Sequence, residues 1–369
     1  MNNSNYEIYF DCGSSRLRAG AFNKINLGKN FYAKSEFLFD HTNIDTEIQK
    51  IITSLEKNTN GFISNINLMI DSPNMLTIGI SISKKIDGSR LREEDIQFLV
   101  QETKQQITKS YKDHNITHII INNYKINNID YNYLPEDIDC KHISLDIIFI
   151  CLPNVTINYF KSLFNKFEIS INKIISSSYT KAVNYKANLS SNKDVSFVDV
   201  GFDKTSVISY VNNNFQSLVV LPIGGNHITK DISKILKVDL KQAEKLKLNF
   251  DNDEYFLNDN NFSIDLIQKI IFARTEEILE LCAKSIRLNF NTTSQFKMVM
   301  MGEGSKILDN RHRDKISFSS DIDFLEEFTE DICQSGFNSE MGLNNQEVVI
   351  IPKKLIKLGF FEKLFYFFK

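Results

Sequence analysis

A loop near the amino terminus combines an aspartate, a glycine and two hydroxyl side chains. The loop DCGSSR follows the apolar strand predicted for residues 6–10 and precedes a second predicted strand, LRAGAF. Glycine lets the backbone approach a ligand closely, consecutive N–H groups and hydroxyls can hold a phosphate, and a carboxylate can hold hydrated Mg²⁺. The pattern predicts a phosphate-binding hairpin, with an ordinary hairpin turn as the alternative. The candidate residues are Asp11, Gly13, Ser14, Ser15 and Arg16.

Two later loops have related compositions. DVGFDKT, residues 199–205, lies between two predicted strands, and MGEGS, residues 301–305, follows a buried strand and precedes a helix. Two such hairpins, one from each half of the chain, would clamp the phosphates of a nucleotide between two domains. Glycines in the third loop would let a base and a ribose approach the backbone. These loops add the candidates Asp199, Gly201, Lys204, Thr205, Gly302, Gly304 and Ser305.

The elements that must position these loops repeat along the chain. Strand, Asp-x-Gly loop and strand occur in both places, which indicates an internal duplication. The 369 residues also exceed what one hydrophobic core usually serves, so at least two domains are expected. Between the hairpins, a helix from about residue 93 and the buried strands THIIIN and LDIIFICL predict a separate α+β module. Residues 123–143, between those strands, are predicted to be irregular.

Composition and spacing exclude several classes of function. The net charge of −3 gives no basic field for nucleic acid, so no nucleic-acid partner is expected. Five cysteines without a CxxC pair fit a reduced, cytoplasmic protein better than a disulfide scaffold. The amino terminus lacks a signal-peptide pattern, and no apolar run reaches the ~18–20 residues that span a bilayer. No His/Cys spacing typical of a metal site and no catalytic triad is found.

The three loops, in this order, resemble the phosphate-1, phosphate-2 and adenosine loops of the actin/Hsp70/hexokinase-like ATPase superfamily. Within it, the chain resembles the bacterial cell-division family FtsA. Three sets of segments carry the likeness: LPIGGNHITKDISKIL with AEKLK at residues 221–247, FARTEEILEL, and REEDIQFLVQET with HIIINNYKINN. The likeness runs from about residue 6 to residue 343 and returns at the carboxyl terminus.

The resemblance implies an α/β, actin-like fold, with duplicated RNase H-like halves around a nucleotide cleft and an inserted α+β subdomain. The implied parts are subdomain 1A (1–80, 156–193 and 320–343), the inserted subdomain 1C (81–155), subdomain 2A (194–226 and 291–319), the small subdomain 2B (227–290), a linker (344–353) and a terminal amphipathic helix (354–369).

The resemblance implies ATP and Mg²⁺ as ligands, with the metal held through the phosphates and, through water, by Asp11. It also places Glu244 and Lys247 near the ribose and base, whereas a solvent-facing ion pair on a helix is the alternative. Gly224 and Gly225 are expected to let the chain turn between subdomains, and His227 to be a hydrogen-bonded structural residue. No catalytic residue is assigned, and at most weak ATPase activity is expected because no residue is identified that would position an attacking water.

Several positions depart from the family's motifs. A carboxylate at 203 would repel a triphosphate unless Mg²⁺ or Lys204 compensates, so weakened nucleotide affinity is expected. The departures are Phe202 and Asp203 where glycines are usual, Lys204 for a threonine, Ser206 for an aspartate, Arg16 for a lysine and Glu303 for a glycine.

The carboxyl terminus, LGFFEKLFYFFK, has the periodicity of an amphipathic helix. At about 100° per residue its apolar side chains occupy one arc, and lysines lie on the other side and just upstream. Such a helix is too short to span a bilayer but suits the interface of an anionic membrane. A helix packed on the protein body is the alternative. The predicted membrane-binding residues are Leu358, Phe360, Phe361, Leu364, Phe365, Phe367 and Phe368.

The implied role is that of a peripheral protein on the cytoplasmic face of the inner membrane at the division site. It would bind ATP, self-associate into protofilaments and tether the FtsZ ring, with FtsZ docking on residues 227–290 and other division proteins at the inserted subdomain. Three alternatives remain open: a PilM-like adaptor of type IV pilus assembly, a small-molecule kinase of the same superfamily, and a scaffold that no longer binds nucleotide.

Overall fold

The computed structural model describes most of the chain up to residue 340. The described residues are 5–26, 28–39, 43–135, 137–187, 189, 194–250, 262–289, 296–308 and 322–340. The predicted linker (344–353) and the predicted terminal helix (354–369), with its seven membrane-binding residues, lie outside them.

The described part of the chain forms three β-sheets with helices packed against them. The strands are β1 (Tyr6–Cys12), β2 (Leu17–Asn23), β3 (Phe31–Lys34), β4 (Asn65–Met69), β5 (Leu76–Lys85), β6 (His114–Ile126), β7 (Ile129–Tyr131), β8 (His142–Pro153), β9 (Ser170–Ile175), β10 (Val195–Val200), β11 (Thr205–Val211), β12 (Asn214–Leu221), β13 (Lys297–Met301) and β14 (Ile322–Phe324). The helices are α1 (Ile44–Thr59), α2 (Glu93–Ser110), α3 (Asn154–Asn165), α4 (Ser177–Lys186), α5 (Gly225–Leu236), α6 (Leu240–Leu248), α7 (Ile264–Arg287) and α8 (Thr329–Glu340), and a 3₁₀ helix covers Glu303–Leu308.

Two five-stranded sheets share one topology. Their strand orders are β3-β2-β1-β4-β9 and β12-β11-β10-β13-β14. In each sheet the first three strands form an antiparallel meander, and the central strand pairs in parallel with the fourth. We call the parts built around these sheets the first half and the second half. The repeated order confirms the predicted α/β fold of two duplicated halves.

Apolar side chains explain why the two halves pack together. The central strands β1 and β10 are buried on both faces, as expected for strands covered by helices on each side. One continuous apolar cluster includes residues from both sheets, among them Phe10, Leu68, Phe197 and Ile208. α8 packs on β1, β2 and α4, so it joins the first half, whereas β14 just before it belongs to the second sheet.

A four-stranded antiparallel sheet forms the inserted subdomain. Its order is β5-β8-β6-β7, and α2 packs on β5 and β6 over an apolar cluster of its own. The prediction that residues 123–143 are irregular was wrong in part, because β6 continues to Ile126 and a turn leads into β7. The polar residues of this segment are compatible with a strand, because their side chains can bond to each other on the sheet surface. Asn123 donates to the carboxylates of Asp130 and Asp146.

Three helices of the second half pack together beside its sheet. α5, α6 and α7 share an apolar cluster that includes Ile232, Leu246 and Ile271. Side-chain caps fix where two of these helices begin: Asp239 accepts from Gln242 N–H at the start of α6, and Ser263 accepts from Leu266 N–H at the start of α7. Among the described residues, no helix is both long enough and apolar enough to cross a membrane.

Candidate nucleotide-binding cleft

A cleft of about 790 Å³ opens between the two halves. Its volume lies within the range of small-molecule sites. All three predicted loops reach it, so residues far apart in sequence meet at one place. The predicted residues that line the cleft are Asp11, Gly13, Ser14, Ser15, Asp199, Gly201, Lys204, Gly302 and Ser305.

Five predicted residues lie outside the lining of the cleft. Thr205 is buried in β11, where its hydroxyl donates to the carbonyl of Ile223 at 2.7 Å. Gly304 lies against the Val200 backbone, and Arg16 lies beside the cleft, where it pairs with Glu303. The other two are Glu244 and Lys247.

Glu244 and Lys247 form a buried ion pair within the second half. Their side chains are 6% and 3% exposed and their charged atoms lie 2.6 Å apart, so the pair is not the solvent-facing one considered above. Lys247 also donates to Thr229 Oγ1 at 2.8 Å and to the carbonyl of Gly225 at 3.1 Å. Burial lowers the pKa of Lys247, and Glu244 opposes that shift. The pair joins α6 to the start of α5 and thereby positions the chain behind the second loop.

Asp11 is held at the cleft by one hydroxyl and one guanidinium. It is buried near the end of β1, where Oδ1 accepts from Ser177 Oγ at 2.7 Å and Oδ2 accepts from Arg18 Nη1 at 3.1 Å. Arg18 faces Asp11 directly on the neighbouring strand β2. Burial disfavours the charged form of Arg18, but Asp11 and Glu303 outweigh it and raise the Arg18 pKa. Asp11 is therefore fixed in place by two donors.

The cation that pairs with Asp199 is Lys181, which lies on helix α4. Lys181 on α4 places Nζ 2.6 Å from Asp199 Oδ2 and 3.2 Å from Glu327 Oε2. Burial opposes the charge of Lys181, but the two carboxylates raise its pKa. Burial raises the pKa of Glu327, an effect that Lys181 opposes and Asp199 strengthens. Tyr185 OH donates to the other carboxylate oxygen of Glu327, Oε1, at 3.1 Å. Both oxygens of the Glu327 carboxylate are therefore hydrogen-bonded.

Gly302 is the position where glycine is required. Its φ is +86°, and a side chain there would overlap Asp199 Oδ1 and come within 2.6 Å of the Val200 carbonyl oxygen. The Gly302 N–H donates to Glu327 Oε2 at 2.7 Å. The absence of a side chain at Gly302 thus lets the third loop pack against the end of β10.

The charge of the cleft bears on what it can hold. Its lining carries more acidic residues than basic ones. A polyanion would be repelled by this lining unless a cation binds with it and compensates the negative charge. The described residues contain no ready-made cluster of three or more metal-ligating side chains. Mg²⁺ that enters with phosphate groups fits this donor set, because it commonly takes one or two carboxylates and otherwise phosphate and water oxygens.

Sequence reasoning missed Arg18, Ser177, Lys181 and Glu327 as residues of the cleft. Arg18 could have been found from the hairpin, because a residue that faces Asp11 across two strands shares its surface. Ser177 and Lys181 are four residues apart, so they lie on one face of α4. Glu327 follows β14 in a segment without a regular pattern, and no signal in the sequence identifies it.

Comparison with known proteins agrees with this architecture. The family model "Cell division protein FtsA" matches residues 196–337, which include the second loop, the third loop and Glu327. Over these residues the chain is similar to the FtsA family of cell division proteins. The FtsA protein of Buchnera aphidicola subsp. Schizaphis graminum (strain Sg) is 25% identical over 188 residues, covering 50% of this chain and 44% of that protein. The FtsA protein of Bacillus subtilis (strain 168) is 33% identical over 111 residues, covering 26% of this chain and 25% of that protein.

These matches to FtsA proteins span less than half of the length of either relative. Among solved structures, a PilM–PilN type IV pilus biogenesis complex superposes with a TM-score of 0.62 over 91% of this chain and 93% of the other. Its sequence identity to the chain is only 11%, so it supports the fold and carries no functional assignment.

Proposed function

We propose that the protein binds ATP with Mg²⁺ in the cleft between its halves. The observation that carries the proposal is the convergence of three glycine-containing loops, one from each hairpin and one after β13, on a single cleft. Ser14, Ser15 and Lys204 supply hydroxyl and ammonium groups for phosphates, and Asp11 supplies a carboxylate for hydrated Mg²⁺. Gly302 lets a flat group approach the third loop. Weak hydrolysis at most is proposed.

Titration of the full chain with Mg-ATP tests this site. Lys204→Met removes an ammonium group that lines the cleft, so we expect about tenfold weaker binding. Lys166→Met is the matched control, because Lys166 pairs with Asp45 on the surface and leaves the cleft charge unchanged. Equal affinity of the two variants would remove Lys204 from the site, and the absence of binding to the unaltered chain would overturn the proposal.

We further propose that the protein self-associates and tethers FtsZ to the cytoplasmic face of the inner membrane. Similarity to the FtsA family over residues 196–337 and the amphipathic pattern of residues 354–369 support this role. One short helix binds a membrane weakly, whereas an array of them on a polymer gains by effective concentration. α5, α6 and α7, where FtsZ docking is proposed, carry exposed apolar side chains. These are Ile235, Leu240, Leu248 and Leu266.

Vesicle co-sedimentation with FtsZ tests the tether. Full-length protein should carry FtsZ down with anionic vesicles, and a variant ending at Asn345 should not. Within the full chain, Leu248→Lys should weaken recruitment of FtsZ without changing vesicle binding. Val155→Lys is its matched control, because Val155 is also exposed but lies on α3 in the first half. If the truncated protein recruits FtsZ to vesicles equally well, the terminal segment is not the anchor.

A further inference from the structure

Three residues that depart from the phosphate-loop motifs share a feature that nucleotide binding does not explain. Arg16, Phe202 and Glu303 each contact the opposite half of the protein across the cleft. Two of them, Arg16 and Glu303, contact each other. Their side chains therefore join the two halves directly at the cleft, where a bound ligand is proposed to contact both halves.

The polar part of this contact is a two-armed ion pair. Glu303, at the start of the 3₁₀ helix in the second half, places Oε2 3.3 Å from Arg16 Nε and Oε1 2.9 Å from Arg18 Nη2. Both arginines come from the first hairpin, and Arg18 is only 12% exposed. Burial would raise the pKa of Glu303, but Arg18 and Arg16 lower it below the ordinary value. Glu303 is thus ionised at neutral pH and holds both arginines.

The apolar part lies beside the ion pair. Phe202 of the second loop meets Phe37 of the first half edge to face, with ring centroids 5.1 Å apart. The guanidinium of Arg16 lies 5.7 Å from the centroid of the same Phe37 ring, so the apolar and ionic contacts are continuous. Phe202 is 8% exposed, so its ring is largely shielded from water.

Two hydrogen bonds complete the connection. The backbone N–H of Asp203 donates to Ser14 Oγ at 3.2 Å, which joins the second loop to the first. Lys204 Nζ donates to the carbonyl of Asp71 in the first half. The Asp203 carboxylate points elsewhere and accepts from Asn226 at 2.7 Å within its own half. Residues 202–204 therefore all make side-chain or backbone contacts that fix the second loop.

We propose that Glu303, Arg16, Arg18, Phe37 and Phe202 form a cross-cleft clamp that holds the two halves together without a nucleotide. The clamp does not depend on the proposed ATP binding, because every contact in it is made by the protein itself. A ligand that carries phosphate groups competes with Glu303 for Arg16 and Arg18.

Hydrogen exchange on the ligand-free full chain tests the clamp. Glu303→Ala removes both arms of the ion pair, and we expect backbone amides of residues 11–18 and 199–205 to exchange about two- to fivefold faster, because Glu303 is partly exposed and its ion pairs are screened by water. Salt near 1 M, where the Debye length is about 3 Å, should accelerate exchange in the unaltered protein and have little further effect on Glu303→Ala.

Glu326→Ala is the matched control. Glu326 also lines the cleft, but its ion pair with Lys306, at 3.3 Å, stays within the second half. Faster exchange in Glu303→Ala alone supports the clamp, and equal exchange in the two variants overturns it. Because no nucleotide is present, failure of the protein to bind ATP would leave this result unchanged, and loss of the clamp would leave the ATP titration interpretable.

Discussion

The two hairpins that meet in the cleft have the same backbone and different electrostatics. Cys12 faces Leu17 at the end of the first, and Val200 faces Thr205 at the end of the second, so the two loops have equal length. The aspartates occupy matching positions, and each faces one residue on the next strand. That residue is Arg18 opposite Asp11 but Ser206 opposite Asp199. The second aspartate must therefore obtain its cation from outside the hairpin.

The consequence is a different dependence on the rest of the fold. Asp11 is paired with Arg18 within its own hairpin, and α4 adds the hydrogen bond from the Ser177 hydroxyl. Asp199 shares Lys181 of α4 with Glu327, and all three side chains are largely buried. Duplication of the backbone has preserved the geometry of the carboxylates, whereas α4 supplies different partners to the two halves.

The largest expected effect comes from removing the cation of the second half. Lys181→Met leaves Asp199 and Glu327 buried without their shared partner, and we expect a loss of about 3–5 kcal/mol in the free energy of unfolding. Urea denaturation followed by circular dichroism measures it. Lys186→Met on the same helix is the control, because Lys186 donates to Asn213 at a more exposed site. A Lys181 variant as stable as the Lys186 variant would contradict the proposed dependence on α4.

A smaller effect is expected at the partner of the first aspartate. Ser177→Ala removes a hydroxyl that donates to Asp11 at 2.7 Å, and we expect a loss of about 1–2 kcal/mol. The adjacent Ser178 is the matched control, since its buried hydroxyl has no hydrogen-bond partner among the described residues. Ser178→Ala should therefore be neutral or slightly stabilising in the same urea titration. Equal losses for the two variants would show that packing, not the hydrogen bond, matters here.

The comparison also shows what the sequence could predict. The hairpins, the duplication and the inserted sheet follow from local patterns, because glycine loops and alternating apolar residues act over a few positions. The partners of Asp199 could not be predicted, since Lys181 and Glu327 meet it only after three separate segments have packed. The burial of Glu244 and Lys247 could not be predicted either. Oppositely charged residues three positions apart occur with the same spacing on buried and on exposed helices.

The apolar contact between Phe202 of the second loop and Phe37 of the first half provides a third test. Phe202→Leu should lose the edge-to-face contact with Phe37 and cost about 1 kcal/mol in the free energy of unfolding. Phe37→Leu should cost a similar amount, and the double variant should cost less than the sum of the two. Such a double-mutant cycle isolates the contact because both substitutions keep an apolar side chain. Strict additivity would mean that the two rings do not interact.

The smallest expected effect is the pH dependence of the ion pair that joins the first hairpin to the third loop. The folded-state pKa of Glu303 lies below its ordinary value of 4.5, because Arg18 and Arg16 outweigh the effect of burial. Ionised Glu303 therefore stabilises the folded state at pH values above the ordinary pKa, and this contribution is lost as the pH falls through the lower, folded-state pKa. Since the Glu303 side chain is 46% exposed, the contribution is about 1 kcal/mol or less.

Glu303→Gln keeps the size of the side chain and removes its charge. Unaltered protein should be more stable than this variant at pH 7, and in urea titrations the difference should shrink as the pH falls below the ordinary pKa of 4.5 and through the lower, folded-state pKa of Glu303. Glu326→Gln corrects for the loss of a carboxylate from the cleft, because its pair with Lys306 does not join the two halves. A difference that stays constant with pH would mean that Glu303 acts through its shape. The link between the halves would then rest on the Phe37–Phe202 contact, which the double-mutant cycle measures separately.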